Sequence, residues 1–178
     1  TNRNIEVRAR PNAAFLAGNL IWMPAAAPAA EALDAALDRA RVLLAAEGLG
    51  LLREVFERTL AYLKEREQFG VPIGSFQALQ HRAARLYVEL ELLESAVAGA
   101  LAAIDADAPD RPRLASLAKA RAADLAVTLC NEAVQLHGGI GVTDEYDLGL
   151  FLKRARVLQQ SLGDASFHRD RYARLMGF

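Results

Sequence analysis

Cysteine is nearly missing from this sequence: Cys130 stands alone among 178 residues. A lone cysteine excludes an internal disulfide and a cysteine-built zinc cage, and it points to a reducing, cytoplasmic compartment. An excess of charge is missing too. Lysine and arginine number 21 against 22 acidic residues, a net charge of −1. No basic surplus is left to hold nucleic acid or an anionic membrane surface. Apolar runs of about 18 residues are absent, so no segment reads as a membrane span. The few histidines, His81, His137 and His168, are scattered without metal-ligand spacing or a nucleophile beside them. Each reads as a surface or hydrogen-bonded structural residue. Walker, GxSxG and HExxH motifs do not occur. What is present is 53% hydrophobic residues. They are rich in alanine and leucine, on a chain long enough for one domain with a real core.

Residues 1–28 read as a strand-like remnant and linker. Ile5-Glu6-Val7-Arg8-Ala9-Arg10 alternates with period two, and Pro24-Ala25-Ala26-Ala27-Pro28 has linker composition. Two short strands form no stable domain alone. A chain that opens on Thr1 is expected to be a piece of a longer or processed protein.

From about Glu31 the apolar spacing becomes helical. Leu33, Leu37, Ala40, Leu44, Leu52, Phe56, Leu60 and Leu63 recur at threes and fours. Gly48 and Gly50 fall inside this helix, where close packing of a neighbour is expected. After a break at Gly70, Pro72 and Gly74, a second stripe runs from Leu79 to Ile104. Asp110 is a candidate N-cap for a third helix, with Pro112 in its first turn. That helix shows small residues, Ala118, Ala122, Ala126 and Ala133, on one side. Leu148 to Leu158 makes a fourth, and Asp164 is placed to cap a last one ending near Met176. The expected fold is all-α, an antiparallel four-helix-type bundle over residues 29–178.

The stretch Gln135-Leu136-His137-Gly138-Gly139-Ile140-Gly141 ends the third helix. Three glycines are a poor way to continue a helix and a good way to bring backbone N–H groups close to a phosphate. Alone they signal only a C-cap and turn. Arg66-Glu67-Gln68-Phe69-Gly70 ends another helix, and Gln77 opens the next. An arginine fork, an aromatic ring, amides and bare backbone together suit a pyrophosphate with an attached base. The pairs Glu65/Glu67 and Asp144/Glu145 read as solvated faces.

Arg66-Glu67-Gln68-Phe69-Gly70-x-Pro72-Ile73-x-x-Phe76-Gln77, then Gln135-x-His137-Gly138-Gly139-x-Gly141, then Asp144-Glu145-Tyr146, resemble the C-terminal helical domain of acyl-CoA dehydrogenases. The resemblance runs from roughly Ala32 to Tyr172. It implies FAD-dependent α,β-dehydrogenation of an acyl-CoA thioester, with an electron-transfer flavoprotein downstream. It implies a homo- or hetero-oligomer in which Arg66, Phe69, Gln77, Gln135, Gly138 and Gly139 embrace the ADP part of FAD held by a neighbouring subunit. The family's N-terminal helical and middle β-domains have no counterpart here beyond Thr1 to Met23, so the chain alone is expected to bind FAD poorly. The family's catalytic glutamate is expected at Leu162, or in some members near Ala40, and neither is a carboxylate. Asp164 and Asp38 each lie two residues away, which on a helix points elsewhere. The expectation is a subunit lacking its own base that completes a neighbour's FAD site. An active dehydrogenase with its base at another register stays open. So does a rival of another class, a non-catalytic helical scaffold that binds no flavin, and Arg66 is the residue that separates it.

Overall fold

A computed structural model describes residues 27–178. Five α-helices carry the architecture: α1 (Ala27–Glu65), α2 (Gln77–Asp105), α3 (Arg111–His137), α4 (Leu148–Gln160) and α5 (Ala165–Leu175). Between α1 and α2 lies a two-stranded antiparallel hairpin, β1 (Glu67–Gln68) and β2 (Val71–Pro72), with Glu67 opposite Pro72 and Gln68 opposite Val71. The all-α bundle expected from the apolar spacing is the fold observed. The strand-like remnant falls outside the described residues, and α1 begins at Ala27, ahead of Glu31.

The middle of the bundle is α3. Of its 27 residues 14 are buried, against 7 of the 29 in α2, so neighbours surround α3 while α2 keeps an open face. It packs against α1, α2, α4 and α5. Small side chains make this possible: Ala115, Ala118, Ala122, Ala126 and Ala133 are all buried. Val42, Leu52, Val55 and Leu63 of α1 and Leu86, Leu90, Leu93 and Val97 of α2 fill the space around that alanine face. Each buried leucine or valine contributes on the order of 1.5–3 kcal/mol by leaving water. Rim pairs join the helices outside: Arg82–Glu132 at 2.6 Å, Arg121–Glu89 at 3.0 Å and Arg154–Glu47 at 2.6 Å. Such exposed pairs give about 0.2–1 kcal/mol each.

Three local expectations resolve differently. Asp164 caps α5, its Oδ1 accepting from Phe167 N at 2.8 Å. Asp110 does not cap α3 through its side chain, because its carboxylate faces the Arg113 guanidinium at 3.0 Å. Gly48 does lie under a neighbour, but a Cβ there would sit 3.8 Å from the Ala122 Cβ, an ordinary contact, and at Gly50 it would meet nothing within 4 Å. Packing therefore demands glycine at neither position. Cys130 is fully buried, and burial raises its thiol to about 11, which leaves it protonated and unreactive. No helix among the described residues is long and apolar enough to cross a membrane, and no acidic, histidine or cysteine cluster there could hold a metal.

Candidate functional site

At one end of the bundle the last turn of α1, the hairpin and the end of α3 surround an open cavity of about 570 Å³. Tyr62, Arg66 and Gln68 line it on one side, Leu79 and Arg82 of α2 on another, and Gln135 to Ile140 on a third. The helix-ending stretches thus meet in space.

Arg66 follows the last residue of α1, its backbone N–H closing on Tyr62 O at 2.9 Å while its own carbonyl accepts from Ile73 N at 2.8 Å. The backbone is pinned; the guanidinium makes no hydrogen bond or ion pair among the described residues. Two residues form the hairpin loop, Phe69 (φ 56°) and Gly70 (φ 80°). Both signs are positive, as in the primed turns that match strand twist. For phenylalanine this left-handed conformation costs about 1–2 kcal/mol. The residue is 93% exposed, and its ring stands edge-on to Phe76 with centroids 6.2 Å apart. A strained, solvent-facing aromatic at a loop tip gives the fold nothing, which directs attention to binding.

On the opposite wall α3 stops at His137 because Gly138 takes φ 64°, ψ −141°, a region closed to residues with a Cβ. A 3-10 turn over Gly138–Val142 follows, leaving Gly138 and Gly139 exposed with open space over each. His137 itself is 2% exposed, stacked on Tyr62 at 4.4 Å and tilted against Tyr146 at 4.8 Å. Its Nδ1 donates to Ala133 O at 2.8 Å, which leaves Nε2 a buried acceptor with no partner among the described residues. Burial lowers its pKa, partly offset by that hydrogen bond, so the ring stays neutral.

Four of the six residues expected to hold a cofactor, Arg66, Gln135, Gly138 and Gly139, share the cavity. Phe69 stands beyond the lining at the hairpin tip, and Gln77 is exposed at the start of α2, also outside the lining. Tyr62, Arg82 and His137 line the cavity without having been singled out for it. The signal for Tyr62 was available, since it precedes Arg66 by one helical turn. Arg82 is held over the cavity by Glu132, Nε to Oε2 at 2.7 Å.

The positions where a catalytic glutamate is expected lie elsewhere. Leu162 is half-buried in the α4–α5 turn, and Ala40 is half-buried on α1. The nearby carboxylates are engaged. Asp164 caps α5, and Asp38, 1% exposed, takes Arg41 at 2.8 Å and Arg171 at 2.8 and 3.0 Å. Both carboxylates are committed to contacts within the fold.

This all-α bundle, with a two-residue hairpin at one corner and a glycine turn beside it, is a known architecture. The chain belongs to the acyl-CoA dehydrogenase family: the profile "Acyl-CoA dehydrogenase, C-terminal domain" matches residues 30–177. It is 45% identical over 127 residues to acyl-CoA dehydrogenase IpdE2 of Mycolicibacterium smegmatis, covering 71% of this chain and 39% of that protein. It is 36% identical over 133 residues to the probable acyl-CoA dehydrogenase YngJ of Bacillus subtilis, covering 75% and 35%. Among solved structures it superimposes on a variant of the Tcur3481-Tcur3483 steroid ACAD with TM-score 0.76 and 37% identity, over 79% of this chain and 39% of that one. Butyryl-CoA dehydrogenase of Megasphaera elsdenii gives the same TM-score at 27% identity, over 80% and 37%. The chain thus spans less than half the length of these relatives.

Proposed function

We propose that this chain takes part in the FAD-dependent α,β-dehydrogenation of an acyl-CoA thioester and that its hairpin and glycine turn complete the FAD site of a neighbouring subunit. The observation that carries the reading is the cavity lined both by Arg66, whose guanidinium is unpaired among the described residues, and by the exposed Gly138 and Gly139. Arg66 would hold a phosphate through its planar fork, and the Gly138–Gly139 main chain would approach it without side-chain obstruction. Gln135 and Gln77 offer hydrogen-bonding groups for a base or ribose, and the Phe69 ring offers a face to stack on. These donors and acceptors fit the ADP part of the cofactor. When bound, FAD supplies the hydride acceptor. The protein's task here is to grip the distal end and exclude water from it.

The same reading makes the chain a subunit without its own base. Leu162 and Ala40 carry no proton acceptor, and Asp38 and Asp164 are tied down. Removal of the acyl α-proton is then the work of another subunit in a homo- or hetero-oligomer, with an electron-transfer flavoprotein as the onward acceptor. A steroid ACAD designated as a pair, Tcur3481-Tcur3483, is among the similar structures and supports looking for an unlike partner.

The test is the visible spectrum of the full-length protein, purified alone and with its partner subunit. Flavin absorbance only in the pair, lost on Arg66→Ala, is the expected result. Robust flavin and dehydrogenase activity in the protein alone would sink the base-less assignment. Absence of flavin from both would favour the scaffold.

A further inference from the structure

The end of α4 and the start of α5 meet in a turn that the bundle holds far more tightly than a surface connection needs. Leu162 has φ 58° and Gly163 φ 105°, two left-handed residues in a row. Gly163 has a reason to be glycine: a Cβ there would lie 2.4 Å from the Phe167 ring and 3.0 Å from His168 Nε2. Leu162 has no such reason, and a side chain with a Cβ resists this conformation.

What overcomes the resistance comes from beneath. Lys119 of α3 is 1% exposed, yet its Nζ forms no ion pair among the described residues. It donates instead to Gly163 O in the turn at 2.9 Å and to Gln159 O, at the negative end of the α4 dipole, at 3.3 Å. His168, fully buried on α5, donates from Nε2 to Leu162 O at 3.0 Å. That bond fixes the tautomer and leaves Nδ1 without a partner among the described residues. Asp164 closes the turn by capping α5. Two buried polar side chains from different helices therefore hold consecutive carbonyls. Packing alone would be served as well by leucine and phenylalanine at those places.

We propose that Lys119 and His168 are positioning residues for residue 162: they clamp the carbonyls of Leu162 and Gly163 so that the side chain at 162 is presented in one fixed direction. The clamp acts through the backbone, and what it presents here is an apolar side chain where the family reaction calls for a base. Its role for the acyl-CoA rests on the proposed function above; the clamp itself does not.

The experiment is amide hydrogen exchange of the full-length protein in its assembly, read over residues 159–166, together with the methyl NMR signals of Leu162. Lys119→Met removes the donors at nearly constant volume. Exchange at Leu162 to Asp164 is expected to rise at least tenfold while the α2 core around Leu93 follows only the global stability, and the Leu162 methyl signals broaden or split. His168→Phe is expected to act on the same amides, which keeps the test open should Lys119→Met fail to fold. A second signature is coupling. Leu162→Gly relieves the left-handed strain, so Lys119→Met is expected to disturb the turn less in that background. Turn exchange that stays flat, or that rises only in step with every helix, overturns the clamp. So does a Lys119→Met effect of equal size with and without Leu162→Gly. Flavin missing from the assembly would count against the proposed function and leave these exchange results standing.

Discussion

Arg41 and Arg66 belong to the same long helix and its exit, and they live in opposite worlds. Arg41 is 2% exposed, bonded to Asp38, with Arg171 on the other side of that carboxylate and the Phe167 ring 6.0 Å away. Ser116, Lys119 and His168 complete the layer, and nearly every charge in it is answered by another group of the fold. Arg66 is exposed, answered by nothing among the described residues, and neighboured by a phenylalanine held in a strained turn. One region spends its polar groups on itself. The other keeps its own in reserve, as a surface does when a second molecule is to complete it.

The strongest way to break that contrast is at Asp38. Asp38→Ala leaves the buried Arg41 and the half-buried Arg171 guanidinium groups without their shared carboxylate, and should cost about 3–5 kcal/mol in urea unfolding at neutral pH. A loss below about 1 kcal/mol would mean that the layer is wetter than its burial implies. Next comes pH. Burial lowers His168 to about 3 from 6.5, aided by nearby Lys119 and Arg41, so the unfolded chain binds the extra proton between those values. Its stabilising share is complete above pH 6.5 and is lost as pH falls toward 3, at about 1.4 kcal/mol per unit. Burial likewise lowers Lys119 to about 8 from 10.5, against the pull of Asp164. Here too the unfolded state carries the proton, and stability should climb between pH 8 and 10.5. His168→Asn should flatten the acid limb and Lys119→Met the alkaline one, measured as unfolding midpoints across pH.

At the open end the expected effects on stability shrink while those on binding grow. Phe69→Gly relieves the left-handed strain but frees the unfolded chain, and the net change should stay under about 1 kcal/mol. Flavin retained by the assembly through gel filtration should fall. Arg66→Ala should move the unfolding midpoint least, by within about 0.5 kcal/mol. Flavin affinity should drop by roughly 10- to 100-fold, as for one charge-assisted contact. Equal losses of stability and flavin in this variant would erase the distinction between the two regions.

Most of the bundle was legible because helices declare themselves locally. The stripe from Leu79 to Ile104 became α2, the alanine face of α3 became its buried side, and Asp164 became a cap through one short contact. The hairpin was not legible, since two-residue strands carry no alternation to detect. Asp110 misled because a cap competes with any guanidinium within reach, and Arg113 reaches it. The motif residues around the cavity were found by their wording, which does not specify how they are arranged; only the fold put Tyr62 and Arg82 beside them. Least visible of all was the charged layer. Asp38 and Arg171 meet across 133 positions of sequence, and no local pattern marks either as buried.

The alanine face of α3 has a consequence for how such a chain can change over generations. At Ala115, Ala118, Ala122, Ala126 and Ala133 almost nothing remains to trim, and every added carbon must push a neighbouring helix outward. Mutation there is a one-way door: a scan of all substitutions should find glycine and serine survivable and every branched or aromatic residue rejected. The outer helices, with solvent behind them, can drift in both directions. A lineage of these bundles would therefore be free to rewrite its rim while its axis stays nearly mute.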